Sequence, residues 1–177
     1  MSKLEFVKKL YNGKNCYSDH MSDEELGLIH ITSNVEGLIK DMLSKAKIIF
    51  LTGNPGDGKT FVIKSVAPEI QKYNAYIEKD MNNIIGYDTI VNDIIACYQE
   101  HRPAIIAVNE YPFMQLCKHI KKQAPNIYKE IVIAKKSAIT YSTSQPLTGR
   151  IALIDLNERN LLDADRNLLG ELIDKFI

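Results

Sequence analysis

Apolar residues fall along this chain in two rhythms. Ile48-Ile49-Phe50-Leu51, Ala75-Tyr76-Ile77, Ala104-Ile105-Ile106-Ala107-Val108 and Ile151-Ala152-Leu153-Ile154 are short, β-rich runs. They read as strands, and the wholly apolar Ile48–Leu51 lacks the alternation of a half-exposed strand, which predicts a strand buried on both faces. Elsewhere the apolar positions recur at helical spacing. Leu4, Val7, Lys8 and Tyr11 share one face, and Val35, Leu38, Ile39, Met42 and Leu43 share another behind a cap at Ser33 or Asn34, so residues 1–46 read as helical. A further helix is expected from Lys59, with others near 88–100 and 113–123. Strand and helix in alternation predict an α/β fold of three layers, a mostly parallel central sheet flanked by helices. The expected organisation is an N-terminal helical segment at 1–45 packed on a core at 46–177. The hydroxyl-rich stretch 137–149 is the longest loop candidate. In such sheets ligands bind at the carboxyl ends of the strands, so the chemistry is sought there.

The first strand runs into Gly53-Asn54-Pro55-Gly56-Asp57-Gly58-Lys59-Thr60. Glycines at these spacings let the backbone curl so that successive N–H groups point inward at phosphate oxygens, and the following helix adds its positive end. In this P-loop pattern Lys59 would reach the β- and γ-phosphates and the Thr60 hydroxyl would ligate Mg2+. The residues expected to line the nucleotide are Gly53, Asn54, Pro55, Gly56, Asp57, Gly58, Lys59, Thr60 and Phe61, with ATP or GTP and Mg2+ as cofactors. The same glycines in an ordinary turn are the bland alternative, but a buried strand before and a helix after are the context the motif requires. Asp57 stands out, because a carboxylate beside phosphates repels them. Its side chain is expected to point away from the nucleotide, toward a basic neighbour.

The strand at 104–108 ends in Asn109-Glu110. There Glu110 would orient an attacking water, and Asn109 would hold a Mg2+-bound water. A neutral amide in place of an acid weakens that hold, so binding survives while turnover slows. The competing reading is that Asn109-Glu110-Tyr111-Pro112 is merely a turn. Ile151-Ala152-Leu153-Ile154-Asp155 is also an apolar run closed by an acid, and either Asp155 or Asn109 supports the metal. Asn157 would contact the γ-phosphate or the water if its strand lies beside the loop strand. Capping of a helix over Leu161 to Phe176 is the alternative for Asp155 and Asn157.

This order, a phosphate loop, a strand ending in Asn109-Glu110, an intervening helix and a strand closing on Asn157, resembles the core of AAA+ ATPases over about residues 46–177. Leu51-Thr52-Gly53-Asn54-Pro55-Gly56-Asp57-Gly58-Lys59-Thr60, Ala107-Val108-Asn109-Glu110 and Ile154-Asp155-Leu156-Asn157-Glu158-Arg159 are similar to the ATPase component of DNA phosphorothioation-dependent restriction systems and related bacterial antiphage ATPases. The resemblance implies an ATP-hydrolysing motor or switch in which Lys59 and Thr60 bind phosphate and Mg2+, Glu110 polarises water and Asn157 is the first sensor. It also implies a homo-oligomer or partner subunits of a defence complex, with Arg159 or Arg166 as a finger for a neighbouring subunit; a solvated salt bridge is the plainer fate of either. This chain departs from the family at Asn109, where an Asp is expected. The family also continues past the position of Ile177 into a helical lid, which implies either a fragment or a partner that supplies the lid.

Composition narrows the alternatives. With 177 residues, 45% hydrophobic, the chain can bury one sizeable core. Lys+Arg and Asp+Glu are both 22, so no global field draws it to nucleic acid or to an anionic membrane. Lys118, Lys121, Lys122, Lys129, Lys135 and Lys136 nevertheless crowd one stretch. The resemblance implies DNA contact there, through Lys118, Lys121, Lys122, Lys135 and Lys136, and a solvated helix face is the alternative. The three cysteines, Cys16, Cys97 and Cys117, lack paired spacing, so a reducing, cytoplasmic setting is expected, and no apolar run approaches the ~20 residues that span a bilayer. Cys117 and His119 lack the further ligands of a zinc site. His20, His30 and His101 read as surface or capping residues, and Tyr141–Ser144 as a hydroxyl-rich loop open to phosphorylation. A small-molecule or nucleotide kinase remains the alternative enzyme, but Arg102, Arg150, Arg159 and Arg166 do not cluster as a phosphate-neutralising lid requires. A nucleotide-binding scaffold with little turnover is the third reading.

Overall fold

The computed structural model describes residues 34–79, 81, 86–140 and 149–158, with the isolated positions Glu5, Lys8, Ser22 and Glu25. The chain divides into two compact units, one of residues 34–158 and one of residues 1–33 with 159–177. In the latter, Glu5, Lys8 and Glu25 are helical. Ser22 N–H donates to Glu25 Oε2 at 3.0 Å while Glu25 N–H donates to Ser22 Oγ at 3.2 Å, the reciprocal capping box that starts a helix. Leu4, Val7, Tyr11, Cys16, His20, His30 and Ser33 lie outside the described residues.

In the 34–158 unit the elements run α1 (Asn34–Ser44), β1 (Ile48–Thr52), α2 (Lys59–Ser65), α3 (Ala67–Lys72), β2 (Tyr76–Glu78), α4 (Asp88–Gln99), β3 (Ala104–Ala107), α5 (Glu110–Gln123), α6 (Pro125–Thr140), β4 (Ile151–Asp155) and a 3-10 turn (Leu156–Glu158). Within this unit α1 buries Ile39, Met42 and Leu43 against the sheet. The four strands are all parallel, in the order β2-β3-β1-β4.

The unbroken apolar runs make sense in this arrangement. Along β1, Ile48 and Phe50 face one core with α4, α5 and α6, while Ile49 and Leu51 face a second core with α1, α2 and α3. β3 divides likewise, Ala104 and Ile106 to the first, Ile105 and Ala107 to the second. All of these are buried, so neither face of either strand has room for a polar residue. Phe50 meets Phe113 of α5 with ring centroids 5.3 Å apart. The result is an α/β unit with helices on both faces of a parallel sheet.

Three helices enter strands in the same way. Ala46, Asn74 and His101, just past α1, α3 and α4, all have left-handed backbone, with φ of 52°, 48° and 55°. Behind them Lys47, Ala75 and Arg102 N–H donate to the carbonyls of Met42, Ile70 and Cys97, each at 3.0 Å. These are Schellman closures, which satisfy terminal carbonyls and turn the chain sharply into β1, β2 and β3. His101 thus occupies a capping position.

At the amino ends of the strands Arg150 acts as a clamp. Its Nη2 donates to Ala46 O at 2.6 Å and to Arg102 O at 3.4 Å, and its Nη1 to Tyr98 O and, at 3.5 Å, to Cys97 O. Glu130 of α6 accepts from Arg150 N–H at 2.8 Å and from the Tyr98 hydroxyl. That bond to a carboxylate, with burial second, holds the Tyr98 phenol above its ordinary pKa.

Several boundaries depart from the sequence pattern. β2 lies one residue later than the apolar run at 75–77. Helix α5 starts at Glu110, so Asn109-Glu110-Tyr111-Pro112 is not a free turn; Pro112 sits in the first turn, where its missing N–H costs nothing. Helix α6, absent from the predicted elements, reaches Thr140 and takes the first residues of the supposed 137–149 loop. Residues 141–148 lie outside the described residues. Among the described residues no helix is long and apolar enough to cross a membrane.

Candidate functional site

Adjacent strands β1 and β3 are left by helices on opposite faces of the sheet. The chain leaves β1 through α2, packed in one core, and leaves β3 through α5, packed in the other. Such a switch point opens a crevice at the strand carboxyl ends, where α/β folds bind ligands. The pairing of Leu51 with Ala107, with Val108 N–H donating to Leu51 O at 3.0 Å, sets Gly53 and Asn109 level where the two chains diverge.

The glycine-rich loop forms one wall. Gly53, Gly56 and Gly58 have φ of 146°, 95° and 83°, a region closed to most side chains. Gly53 is also short of space, since a Cβ there would lie 2.8 Å from Asp57 Oδ2 and 3.3 Å from Leu156 Cβ. Gly58 precedes α2 in left-handed backbone and supplies no side-chain cap, leaving the N–H groups of Lys59 and Thr60 at the head of the helix. The Lys59 ammonium is folded onto the loop itself, donating to Gly53 O at 2.9 Å and Asn54 O at 2.8 Å. Thr60 and Phe61, in the first turn of α2, are half-buried. Pro55 and Gly56 are exposed at the tip.

Asp57 corrects an expectation. Among the described residues its partner is the loop backbone rather than a basic side chain: Oδ2 accepts from Asn54 N–H at 2.5 Å, while Asp57 N–H donates to Asn54 O at 3.2 Å. The carboxylate thus closes a turn across residues 54–57.

β4 supplies the other flank. It pairs with β1 in parallel, Thr52 beside Asp155, so the strand leading to Asn157 does lie next to the loop strand. Asn157 Oδ1 accepts from Asn54 Nδ2 at 2.7 Å and, more loosely, from Asn54 N–H at 3.4 Å. Asp155 Oδ1 accepts from Asn157 N–H at 3.0 Å, a local turn at the start of Leu156–Glu158, while the segment 161–176, the alternative target for its capping, lies outside the described residues. Asn157 is therefore tied to the loop through Asn54, a partner that sequence spacing gave no means of finding.

On the side of β3, Asn109 holds the N-cap position of α5 in extended backbone and is half-buried, and its side chain makes no capping bond. Glu110 is the exposed first residue of that helix. The structure thus brings Gly53–Phe61, Asn109, Glu110, Asp155 and Asn157 to one end of the sheet. The lysines are elsewhere: Lys118, Lys121 and Lys135 border a groove between α5 and α6, while Lys122 and Lys136 are exposed but do not line it. Arg102 and Arg150 stand at the opposite, amino end of the strands, and Arg159, Arg166 and Tyr141–Ser144 lie outside the described residues. His119 contacts Asp88 at 3.3 Å and stacks on Tyr87, with ring centroids 5.2 Å apart.

The residues at the crevice fit a phosphate ester with a divalent cation. They offer the Lys59 ammonium, helix-terminal N–H groups and the Thr60 hydroxyl, and the one loop carboxylate, Asp57, is bonded to the loop backbone. Mg2+ keeps several waters and takes ligands from substrate phosphates, so a single protein hydroxyl suffices for it. No family model, curated protein or solved structure matches this chain.

Proposed function

We propose that the crevice binds ATP with Mg2+ and hydrolyses it slowly, as a motor or switch ATPase with an AAA+-like P-loop core. The observation that carries this reading is the Lys59 ammonium, resting on the carbonyls of Gly53 and Asn54 at a loop whose glycines all need positive φ, at the switch point of a parallel sheet. Phosphate oxygens carry charge that a backbone carbonyl lacks, so a β,γ-phosphate in the loop would compete well for this ammonium. The loop N–H groups and the head of α2 then neutralise phosphate charge. The Thr60 hydroxyl would help hold Mg2+, which would supply positive charge to offset that of the phosphates. Glu110 orients a water and takes up its proton. Asn157, braced by Asn54, aligns the same water or the terminal phosphate. Asn109, a neutral amide where an acid would hold the metal's waters firmly, favours slow turnover, and in the limit a nucleotide-dependent scaffold. A role in bacterial DNA restriction rests on the resemblance of the three segments 51–60, 107–110 and 154–159.

Phosphate release from ATP by the whole chain, with and without duplex DNA, tests the reading. Release that stops in Glu110→Gln while ATP still binds supports it, and stimulation by DNA supports the restriction setting. Undiminished release by Glu110→Gln refutes the assigned base. Binding without release leaves the scaffold.

A further inference from the structure

Helices α5 and α6 are joined by Ala124 alone and fold back as a hairpin, leaving a groove of about 290 Å3 between their arms. Met114, Cys117 and Val132 form apolar wall, and Lys118, Lys121 and Lys135 stand around it. The residues from α6 that reach it, Tyr128, Ile131, Val132 and Lys135, recur at helical spacing, so a continuous stripe of that helix is given over to the groove. Met114 is 53% exposed, a long apolar side chain left in solvent at the groove.

Scattered lysines on a helix are ordinarily solvated and need no partner. Here three of them, from two helices, converge on one apolar concavity, and no carboxylate lines it. Lys121 Nζ lies 5.5 Å from the centroid of the Tyr128 ring, which holds its charge at one end of the groove. An occupant must therefore be apolar where it enters and anionic where it leaves. That is the pattern of an amphipathic helix, whose apolar side chains project at three- and four-residue spacing between charged flanks. A duplex is a poorer match. Phosphates need cations along an accessible surface rather than an apolar recess, and Lys122, Lys129 and Lys136, the rest of the basic stretch, do not line the groove.

We propose that the α5–α6 groove is a docking site for an acidic amphipathic helix of a partner protein, its apolar face against Met114, Cys117 and Val132 and its carboxylates at Lys118, Lys121 and Lys135.

The test uses the full chain and three fluorescein-labelled probes: a helical peptide with leucines on one face and glutamates on the other, its leucine-to-serine analogue, and a DNA duplex. Anisotropy should show binding of the first peptide, weakened at least about tenfold in the Lys118→Glu/Lys135→Glu double variant and by the serine analogue. Met114→Ser, at an exposed position that leaves the fold intact, should weaken it as well. Bound peptide should also shield Cys117 from an uncharged alkylating reagent. Failure of the acidic peptide to bind, equal binding of the serine analogue, or duplex DNA that displaces the peptide through the same lysines would each overturn the proposal. The last would identify a nucleic-acid surface instead.

Discussion

Replacing Arg150 with methionine keeps the aliphatic stem and removes the guanidinium. In the native chain that group ties the end of α4 and the end of α1 to the start of β4, through Tyr98 O, Cys97 O and Ala46 O, with a weaker bond to Arg102 O. A hydrogen bond from a charged donor contributes about 1.5–3 kcal/mol net. Only the bonds to Ala46 and Tyr98 are close, and the site is half-buried, so the low end applies to two bonds, about 3 kcal/mol. The guanidinium also lies 5.3 Å from the centroid of the Tyr98 ring. Such a contact adds roughly 0.5 kcal/mol, and water reaching the freed carbonyls returns about 1 kcal/mol. The expected loss is thus about 2–3 kcal/mol. For a chain of this size that lowers Tm by roughly 5–10 °C in a thermal melt followed by circular dichroism. Arg150→Lys should recover less than half, since an ammonium cannot span the two helix ends as a planar fork does. Nucleotide affinity at low temperature should be unchanged, because Arg150 lies at the end of the sheet away from the loop. A Tm within about 2 °C of wild type, or full rescue by lysine, would refute the clamp.

Two further outcomes follow from the geometry. Gly53→Ala puts a Cβ 2.8 Å from Asp57 Oδ2 and forces φ of 146° on alanine. The expected cost is about 2 kcal/mol of stability and a loss of ATP affinity by titration, only partly restored by adding Asp57→Ala, which removes the clash but not the backbone strain; full restoration would contradict this. Burial raises the Cys117 thiol to about 11. At pH 8 only about one thiol in a thousand is then thiolate, so alkylation should be far slower than at an exposed cysteine and should climb until pH nears that value. A rate that levels off near pH 8–9 would show the thiol to be unperturbed.

Much of this architecture was legible because burial on two faces leaves its mark on composition. β1, β3 and β4 are apolar at nearly every position since each separates two cores, and no other local structure of that length needs such a run. The loop was legible because positive φ demands glycine at fixed spacings. Helix α6 was not. Ser137 and Thr140 are weak helix formers and led into a hydroxyl-rich segment, although Pro125 at its first position is a start signal. Strand order, the Arg150 clamp and the Asn54–Asn157 contact had no local trace, since their partners are 102 to 104 residues apart for β1–β4 contacts, the Arg150–Ala46 bond and the asparagine pair. The partner of Asp57 was misjudged for a related reason. A charge suggests an opposite charge, yet a carboxylate three residues from a backbone N–H closes a turn with far less ordering.

Calorimetric titration of the purified chain with Mg-ATP, beside the Lys59→Ala variant, tests the central claim most directly. Loss of one charge-assisted contact to phosphate is worth about 1.5–3 kcal/mol, so the account expects wild-type binding and at least roughly tenfold weaker binding by the variant. Equal affinities, or no binding by the wild type, would contradict it.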